Sequence, residues 1–122
     1  MPAELIVDDD HAFQTVLRTL FEEGGGFDNC VEARIASEAP VKSKQLLPNS
    51  AVVDFSMPEM NGLRLARELR AREPGLPVFT LTADYHVDIR NEALAFGITC
   101  VLAKLDDLTT LIANARVACA VG

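Results

Sequence analysis

The strongest constraint on the fold of this chain is a series of short apolar segments that recurs along its length. The four clear segments are residues 5–7, 51–53, 77–81 and 99–102, and a weaker one surrounds Cys30-Val31. They are rich in β-branched residues and do not alternate between apolar and polar positions. Strands of a parallel sheet that helices cover on both faces have this composition. The sequence therefore predicts five such strands.

Helical patterns occupy the intervals between these segments, with apolar residues at helical spacing. The first predicted helix begins at an Asp10 cap and ends at residues 24–26, and its apolar residues are Ala12, Phe13, Val16, Leu17 and Leu20. The second predicted helix covers residues 37–47, with Ser37 as its cap and Pro40 in its first turn. The third predicted helix runs from Asn61-Gly62 to Pro74-Gly75. The fourth carries Ile89, Ala93 and Leu94 and ends at Gly97. The fifth begins at Asp106 or Asp107, and its apolar residues are Leu108, Leu111, Ile112, Ala115, Ala118 and Cys119.

A strand followed by a helix thus occurs five times along the chain. Parallel strands joined by right-handed helical crossovers form an open sheet. The predicted fold is therefore α/β: a doubly wound five-stranded parallel sheet, (βα)5, with helices on both faces. In such a sheet the functional site lies beyond the carboxyl ends of the strands.

Charge and composition exclude several classes of function. The 122 residues include 18 acidic and 11 basic ones, and the net charge of −7 argues against direct binding to nucleic acid or anionic lipid. No apolar run approaches the ~18 residues of a membrane span, and no secretory signal begins the chain. The three cysteines lack metal-ligand spacing, and their odd number fits reduced thiols. We expect residues 1–122 to form a single cytoplasmic domain.

Charged and hydroxyl side chains follow four of the five predicted strands. They are Asp8-Asp9-Asp10, Asp54, Thr82 and Lys104. Two carboxylates about 4 Å apart repel each other by roughly 4 kcal/mol at an effective dielectric constant of about 20. A divalent cation removes that penalty, and oxygen ligands with positions open to water suit Mg²⁺. Lys104 and Thr82 could contact a phosphoryl oxygen. The set predicts a phosphoryl-transfer site.

Each of these residues also has an ordinary structural interpretation by itself. Asp10 could cap a helix, Asp54 could belong to a turn, and Lys104 could be a surface lysine. These interpretations would have to hold together at the ends of separate strands. The combination therefore favours a shared site over four unrelated side chains.

Four segments carry these side chains in a fixed order. They are Leu5–Asp10, Val52–Gly62, Leu81–Ala83 and Leu102–Lys104. Their key positions are separated by 45 residues (9 to 54), 28 residues (54 to 82) and 50 residues (54 to 104). In order and spacing the chain resembles the receiver domains of two-component response regulators over essentially its full length. That resemblance implies a flavodoxin-like, CheY-like fold.

The resemblance implies a role for each acid. Asp54 corresponds to the phosphoacceptor, whose carboxylate attacks phosphorus and forms an aspartyl phosphate. Asp9, Asp54 and the backbone carbonyl of Ser56 correspond to Mg²⁺ ligands, and Asp8 would act through metal-bound water.

The resemblance also implies how the domain signals. Lys104 would pair with the phosphoryl group, and Thr82 would move toward it and help to report phosphorylation. The donor would be the phosphohistidine of a sensor histidine kinase or phosphotransfer protein. A downstream output domain or protein would receive the signal. Such a domain assists its own phosphorylation and dephosphorylation and is not a turnover enzyme.

The sequence departs from the family pattern at two positions near Lys104. Leu105 stands where the family usually has a proline, so we expect a trans peptide bond and an altered loop. Val101 stands where the family usually has Tyr or Phe, and a valine cannot swing a ring inward. The switch would then reach partners through backbone shifts. Ser56 and Asp84 occupy positions that in the family help to set the phosphoryl lifetime.

The residues also bear on several other functions. The chain could be the receiver portion of a longer DNA-binding transcriptional regulator, or a degenerate receiver that accepts no phosphate. A phosphatase of the haloacid dehalogenase type needs a second acid two residues after its nucleophile, where this chain has Ser56. A flavin mononucleotide binder needs a phosphate-binding first loop, whereas the loop here is acidic.

Overall fold

The computed structural model describes residues 3–24, 26–35, 37–55, 62–83, 87–95, 97–104 and 108–121, and for residues 119–121 it describes the backbone alone. The predictions for Ser56, Asp84, Leu105 and the Asp106-Asp107 helix start lie outside the described residues. In the part of the chain that is described, none of the helices combines the length and apolar character needed to cross a bilayer.

Five parallel strands form one sheet, in the spatial order β2-β1-β3-β4-β5. The strands are β1 (Ala3–Val7), β2 (Asn29–Ala33), β3 (Ser50–Asp54), β4 (Val78–Thr82) and β5 (Cys100–Ala103). The helices are α1 (His11–Thr19), α2 (Glu38–Leu46), α3 (Gly62–Arg72), α4 (Val87–Ala95) and α5 (Leu108–Val121). The predicted fold class and the order of strands and helices are confirmed. The first helix differs from its prediction, because α1 ends at Thr19 and a π-helix (Leu20–Gly24) continues the chain to the predicted end at Gly24.

A separate apolar core lies on each face of the sheet. Successive residues of a strand point to opposite faces, and in β1 Leu5 and Val7 join one core while Ile6 joins the other. The first core includes side chains from α2, α3 and α4, and the second includes side chains from α1 and α5. Every residue of β1, β3 and β4 is buried, which explains why their sequences do not alternate.

The sheet-facing side of α1 differs from the predicted stripe. Leu17 is fully buried, as expected, but Ala12 is exposed and Val16 is 48% exposed. Gln14 lies against the sheet instead, and its amide nitrogen donates to the carbonyl oxygens of Ala33 at 2.8 Å and Ile6 at 3.4 Å. The prediction for Ala12 and Val16 is wrong, because the buried side of α1 includes Gln14 and Leu17 and leaves Ala12 and Val16 toward solvent.

Helix α2 begins where the sequence predicts, with Pro40 in its first turn. The predicted cap is wrong, however, because Ser37 adopts a helical conformation and its side chain accepts no capping hydrogen bond. The Glu38 carboxylate instead accepts from the backbone N–H groups of Arg34 at 3.0 Å and Ile35 at 3.4 Å. The first side chain of α2 thus satisfies two backbone donors of the segment that leads into the helix.

Gly62 fixes the approach of α3 to β3. Its N–H donates to the carbonyl of Phe55 at 2.6 Å, and a Cβ atom at this position would collide with the carbonyl oxygen of Asp54 and lie 2.6 Å from Phe55 Cα. Both obstacles are backbone atoms, which a rotamer change cannot remove. Only glycine therefore allows α3 to begin this close to Asp54.

Gly62→Ala is expected to destabilise the protein by about 1–3 kcal/mol, the typical cost of forcing extra atoms into a packed site. Urea unfolding would measure the loss. Gly75→Ala is the matched control, because a Cβ atom there meets nothing within 4 Å. Equal stability of the two variants would contradict the close approach of α3 to β3.

Candidate functional site

The parallel register brings four predicted site residues to one edge of the sheet. Asp54 ends β3 and Thr82 ends β4, while Asp8 and Lys104 directly follow β1 and β5. Backbone hydrogen bonds continue the ladder past the strand ends. The Asp8 N–H donates to the carbonyl of Ala33 at 3.0 Å, and the Lys104 N–H donates to that of Thr82 at 2.7 Å. The side chains are thus positioned by the sheet itself rather than by long loops.

Three carboxylates form an acidic cluster at this edge. One oxygen from each of Asp8, Asp9 and Asp54 lies within 4.8 Å of the others. Asp8 and Asp54 are only 1% and 5% exposed, whereas Asp9 is exposed. The Asp10 N–H donates to Asp8 Oδ1 at 2.8 Å and holds that carboxylate in place. The cluster therefore combines two buried acids with one that faces solvent.

Lys104 supplies the positive charge of the site. Its Nζ lies 3.0 Å from Asp8 Oδ2 and 3.6 Å from Asp54 Oδ2, and its side chain is 16% exposed. The same ammonium lies 4.5 Å from the centroid of the Phe13 ring. One lysine thus bridges two buried carboxylates, and the three acids with the lysine leave an excess of negative charge.

Burial and pairing act in opposite directions on these groups. Burial raises the pKa of Asp8, although the hydrogen bond from Asp10 and the nearby Lys104 partly offset that effect. Burial alone would lower the pKa of Lys104, but contact with Asp8 and Asp54 outweighs it, so the pKa of the lysine lies above its usual value. The ammonium is therefore charged at neutral pH.

The acidic cluster fits a hard divalent cation. Carboxylate oxygens are the ligands that Mg²⁺ prefers, and Mg²⁺ usually keeps several waters, for which the exposed Asp9 leaves room. The predicted fourth ligand, the carbonyl of Ser56, lies outside the described residues. The donor chemistry of the three aspartates is thus suited to this ion.

Thr82 and Val101 lie on the same side of the sheet, in neighbouring strands. Thr82 is 3% exposed at the end of β4, and Val101 is 5% exposed within β5, where it pairs with Thr80. Val101 packs in the core beneath α2, α3 and α4. A branched aliphatic side chain therefore fills this position of the core.

Phe13 lies beside the site although the sequence pattern predicts no role for it there. Its spacing places it in the apolar stripe of α1, and its half-buried ring does pack against the core of that face. The signal that could have found it is its position. Because α1 begins three residues after Asp8, a residue in its first turn stays beside the acidic loop.

Comparisons with known proteins find related sequences over most of this chain. The sequence profile of the response regulator receiver domain matches residues 5–116. The regulatory protein AtoC of Escherichia coli (strain K12) is 32% identical over 114 residues, which cover 91% of this chain and 24% of AtoC. The response regulator MprA of Mycolicibacterium vanbaalenii is 33% identical over 113 residues, which cover 92% of this chain and 48% of MprA.

Solved structures are similar over the whole fold. The receiver domain of the Francisella response regulator 1452 is 27% identical, with a TM-score of 0.89 and coverage of 98% of both chains. The chain spans about a quarter of the length of AtoC and about half that of MprA. The match of the family profile, the relatives and the fold together show that this chain belongs to the response regulator receiver domain family of two-component signalling.

Proposed function

We propose that Asp54 is the phosphoacceptor of this receiver domain. The observation that carries the proposal is the convergence of a buried carboxylate, two further acids and a lysine at the end of β3. In the transfer, an Asp54 carboxylate oxygen forms a bond to phosphorus. The bond from phosphorus to the donor nitrogen of a phosphohistidine breaks, and its electron pair leaves with the imidazole. An aspartyl phosphate results.

Receiver domains in general use Mg²⁺ at an acidic pocket, and the cluster of Asp8, Asp9 and Asp54 supplies such a pocket here. We propose that Asp9, Asp54 and the backbone carbonyl of Ser56 hold the ion and that Asp8 acts through a bound water. When bound, Mg²⁺ neutralises charge that develops on the transferring phosphoryl oxygens. The chain's own carboxylates supply the negative field that attracts it.

Lys104 and Thr82 are proposed to contact the transferred group. The Lys104 ammonium lies 3.6 Å from Asp54 Oδ2, so a phosphoryl group on that carboxylate comes within its reach. It would leave Asp8 and pair with a phosphoryl oxygen. Thr82 ends the neighbouring strand and can donate its hydroxyl hydrogen to another oxygen. Movement of Thr82 would then carry the signal into β4 and β5.

The relatives of this chain are response regulators, and we propose partners of the corresponding kind. A sensor histidine kinase or phosphotransfer protein would donate the phosphoryl group in the cytoplasm. A downstream output domain or protein would respond to the phosphorylated form. Because the curated relatives are longer than this chain, a DNA-binding regulator that contains this receiver is a second candidate for the whole protein. In either setting the domain signals and does not turn over a substrate.

Asp54→Asn is expected to abolish phosphorylation, because an amide is a poor nucleophile and the shape of the side chain is unchanged. The protein would be treated with acetyl phosphate and Mg²⁺, and covalent modification would be located by mass spectrometry. Asp28→Asn, at an exposed aspartate outside the site, is the matched control. A wild-type protein that remains unmodified would support a degenerate receiver, and a modified Asp54→Asn protein would assign the acceptor elsewhere.

A further inference from the structure

The ammonium of Lys104 has two different kinds of neighbour. On one side lie the carboxylates of Asp8 and Asp54, at 3.0 and 3.6 Å. The Phe13 ring lies 4.5 Å away, measured to its centroid. The face of an aromatic ring carries partial negative charge and attracts a cation within about 6 Å. The ring is thus a third attractive surface around the lysine, and the one among these neighbours that carries no formal charge.

The position of Phe13 is tied to the acidic loop by hydrogen bonds. Asp8 Oδ1 accepts from the Asp10 N–H at 2.8 Å, and Asp10 Oδ1 accepts from the Phe13 N–H at 3.3 Å. Asp10 is at the same time the N-cap of α1. The Phe13 ring and the Asp8 carboxylate that faces Lys104 therefore belong to one short, hydrogen-bonded segment of the chain.

We propose that the Phe13 ring positions the Lys104 ammonium for the phosphoryl group, which makes Phe13 a positioning residue of the reaction. The inference rests on the proposed function of Asp54. A lysine side chain has four rotatable bonds, and its compact ammonium is strongly hydrated. The ring limits both the directions open to this ammonium and the water around it. When a phosphoryl group arrives, Lys104 has only to pass from Asp8 to the new oxygen.

The attraction between the Lys104 ammonium and the Phe13 ring is weaker than an ion pair. A weaker contact suits the proposed movement of the ammonium from Asp8 to a phosphoryl oxygen. A third carboxylate in place of the ring would hold the ammonium and oppose its transfer to the phosphoryl oxygen. An aliphatic side chain would exclude water but would not attract the charge. The aromatic ring does both, and it adds no negative charge to a cluster that already contains three acids.

The test compares Phe13→Leu with Phe13→Tyr in the acetyl phosphate reaction with Mg²⁺. Leucine keeps the apolar contact and removes the ring, so we expect modification of Asp54 to be about three- to tenfold slower. Tyrosine keeps the ring face and should retain a rate close to that of the wild type. In a Lys104→Ala background, Phe13→Leu should change the remaining rate by less than about twofold, because its effect passes through the lysine.

Leu20→Ala serves as the control for a loosened α1. Leu20 packs against the same core and lies two helical turns farther along, away from the acidic loop. It should lower stability without slowing modification. The role of Phe13 would be overturned if Phe13→Leu were modified as fast as the wild type. It would also be overturned if Phe13→Leu slowed modification by the same factor in the Lys104→Ala background. Neither result would affect the proposed function of Asp54. Absence of modification at Asp54 in the wild type would overturn the proposed function and this inference with it.

Discussion

Replacing Lys104 with methionine is expected to strengthen Mg²⁺ binding and, at the same time, to slow phosphorylation of Asp54. The ammonium lies 3.0 Å from Asp8 and 3.6 Å from Asp54, so it repels a divalent cation from the oxygens that the cation needs. Removal of the ammonium should raise Mg²⁺ affinity about tenfold, which corresponds to about 1.4 kcal/mol of binding free energy. This is a modest part of the roughly 4 kcal/mol that acts between unit charges about 4 Å apart at an effective dielectric constant of about 20.

The phosphorylation rate of Lys104→Met should fall by about 10²- to 10³-fold, the usual cost of losing one group that stabilises developing charge. Isothermal titration with Mg²⁺ and the time course of modification by acetyl phosphate would measure the two effects. Lys44→Met is the matched control, because Lys44 is exposed on α2 and its loss changes the net charge by the same amount. A direct role of Lys104 would be contradicted if Mg²⁺ affinity and the phosphorylation rate changed in the same direction. It would also be contradicted if Lys44→Met changed both quantities as much as Lys104→Met does.

The positions of the site residues were predictable because of a general property of parallel sheets. Asp54, Thr82 and Lys104 each follow an apolar segment, and the carboxyl ends of parallel strands meet at one edge. Neither step needs distances or side-chain conformations. The fold class and the grouping of these side chains follow from pattern and chain order alone.

The sequence pattern could not predict which side chains make contacts that their residue type does not suggest. Phe13 has the spacing of a core residue, and nothing in the pattern shows that its ring lies beside an ammonium. Gln14 is polar and yet fully buried, because two strand carbonyls accept from its amide. Such roles depend on how a helix is rotated about its axis, which hydrophobic spacing does not determine.

Glu4 is a further polar residue whose burial the sequence pattern does not predict. A glutamate just before an apolar segment is usually the solvent-exposed start of a strand. Here Glu4 lies within β1 and is fully buried, with Cys30 of β2 and Ser50 of β3 as its neighbours in the sheet. The Ser50 hydroxyl donates to Glu4 Oε1, and Glu4 Oε2 has no hydrogen-bond partner among the described residues. Burial raises the pKa of this carboxyl to about 8, and the hydrogen bond from Ser50 only partly opposes the shift.

Stability should consequently fall as pH rises through neutrality. The ordinary pKa of 4.5 applies to Glu4 in the unfolded chain, so between pH 4.5 and about 8 the folded state binds a proton that the unfolded state does not. Its contribution is complete below pH 4.5 and is lost as pH passes about 8. At 1.36 kcal/mol per pKa unit, the whole window from pH 4.5 to about 8 corresponds to about 5 kcal/mol.

Glu4→Gln should remove this dependence, because glutamine has nearly the same shape, can still accept from Ser50 and does not ionise. We expect little change in the free energy of unfolding near pH 4.5 and a gain of about 5 kcal/mol once the pH has passed about 8. Urea unfolding at intervals across that range would measure both, and Glu23→Gln, at an exposed glutamate, should leave the wild-type slope in place. A Glu4→Gln protein with that same slope would show that Glu4 is ionised in the fold, as a buried charge that accepts a hydrogen bond from Ser50.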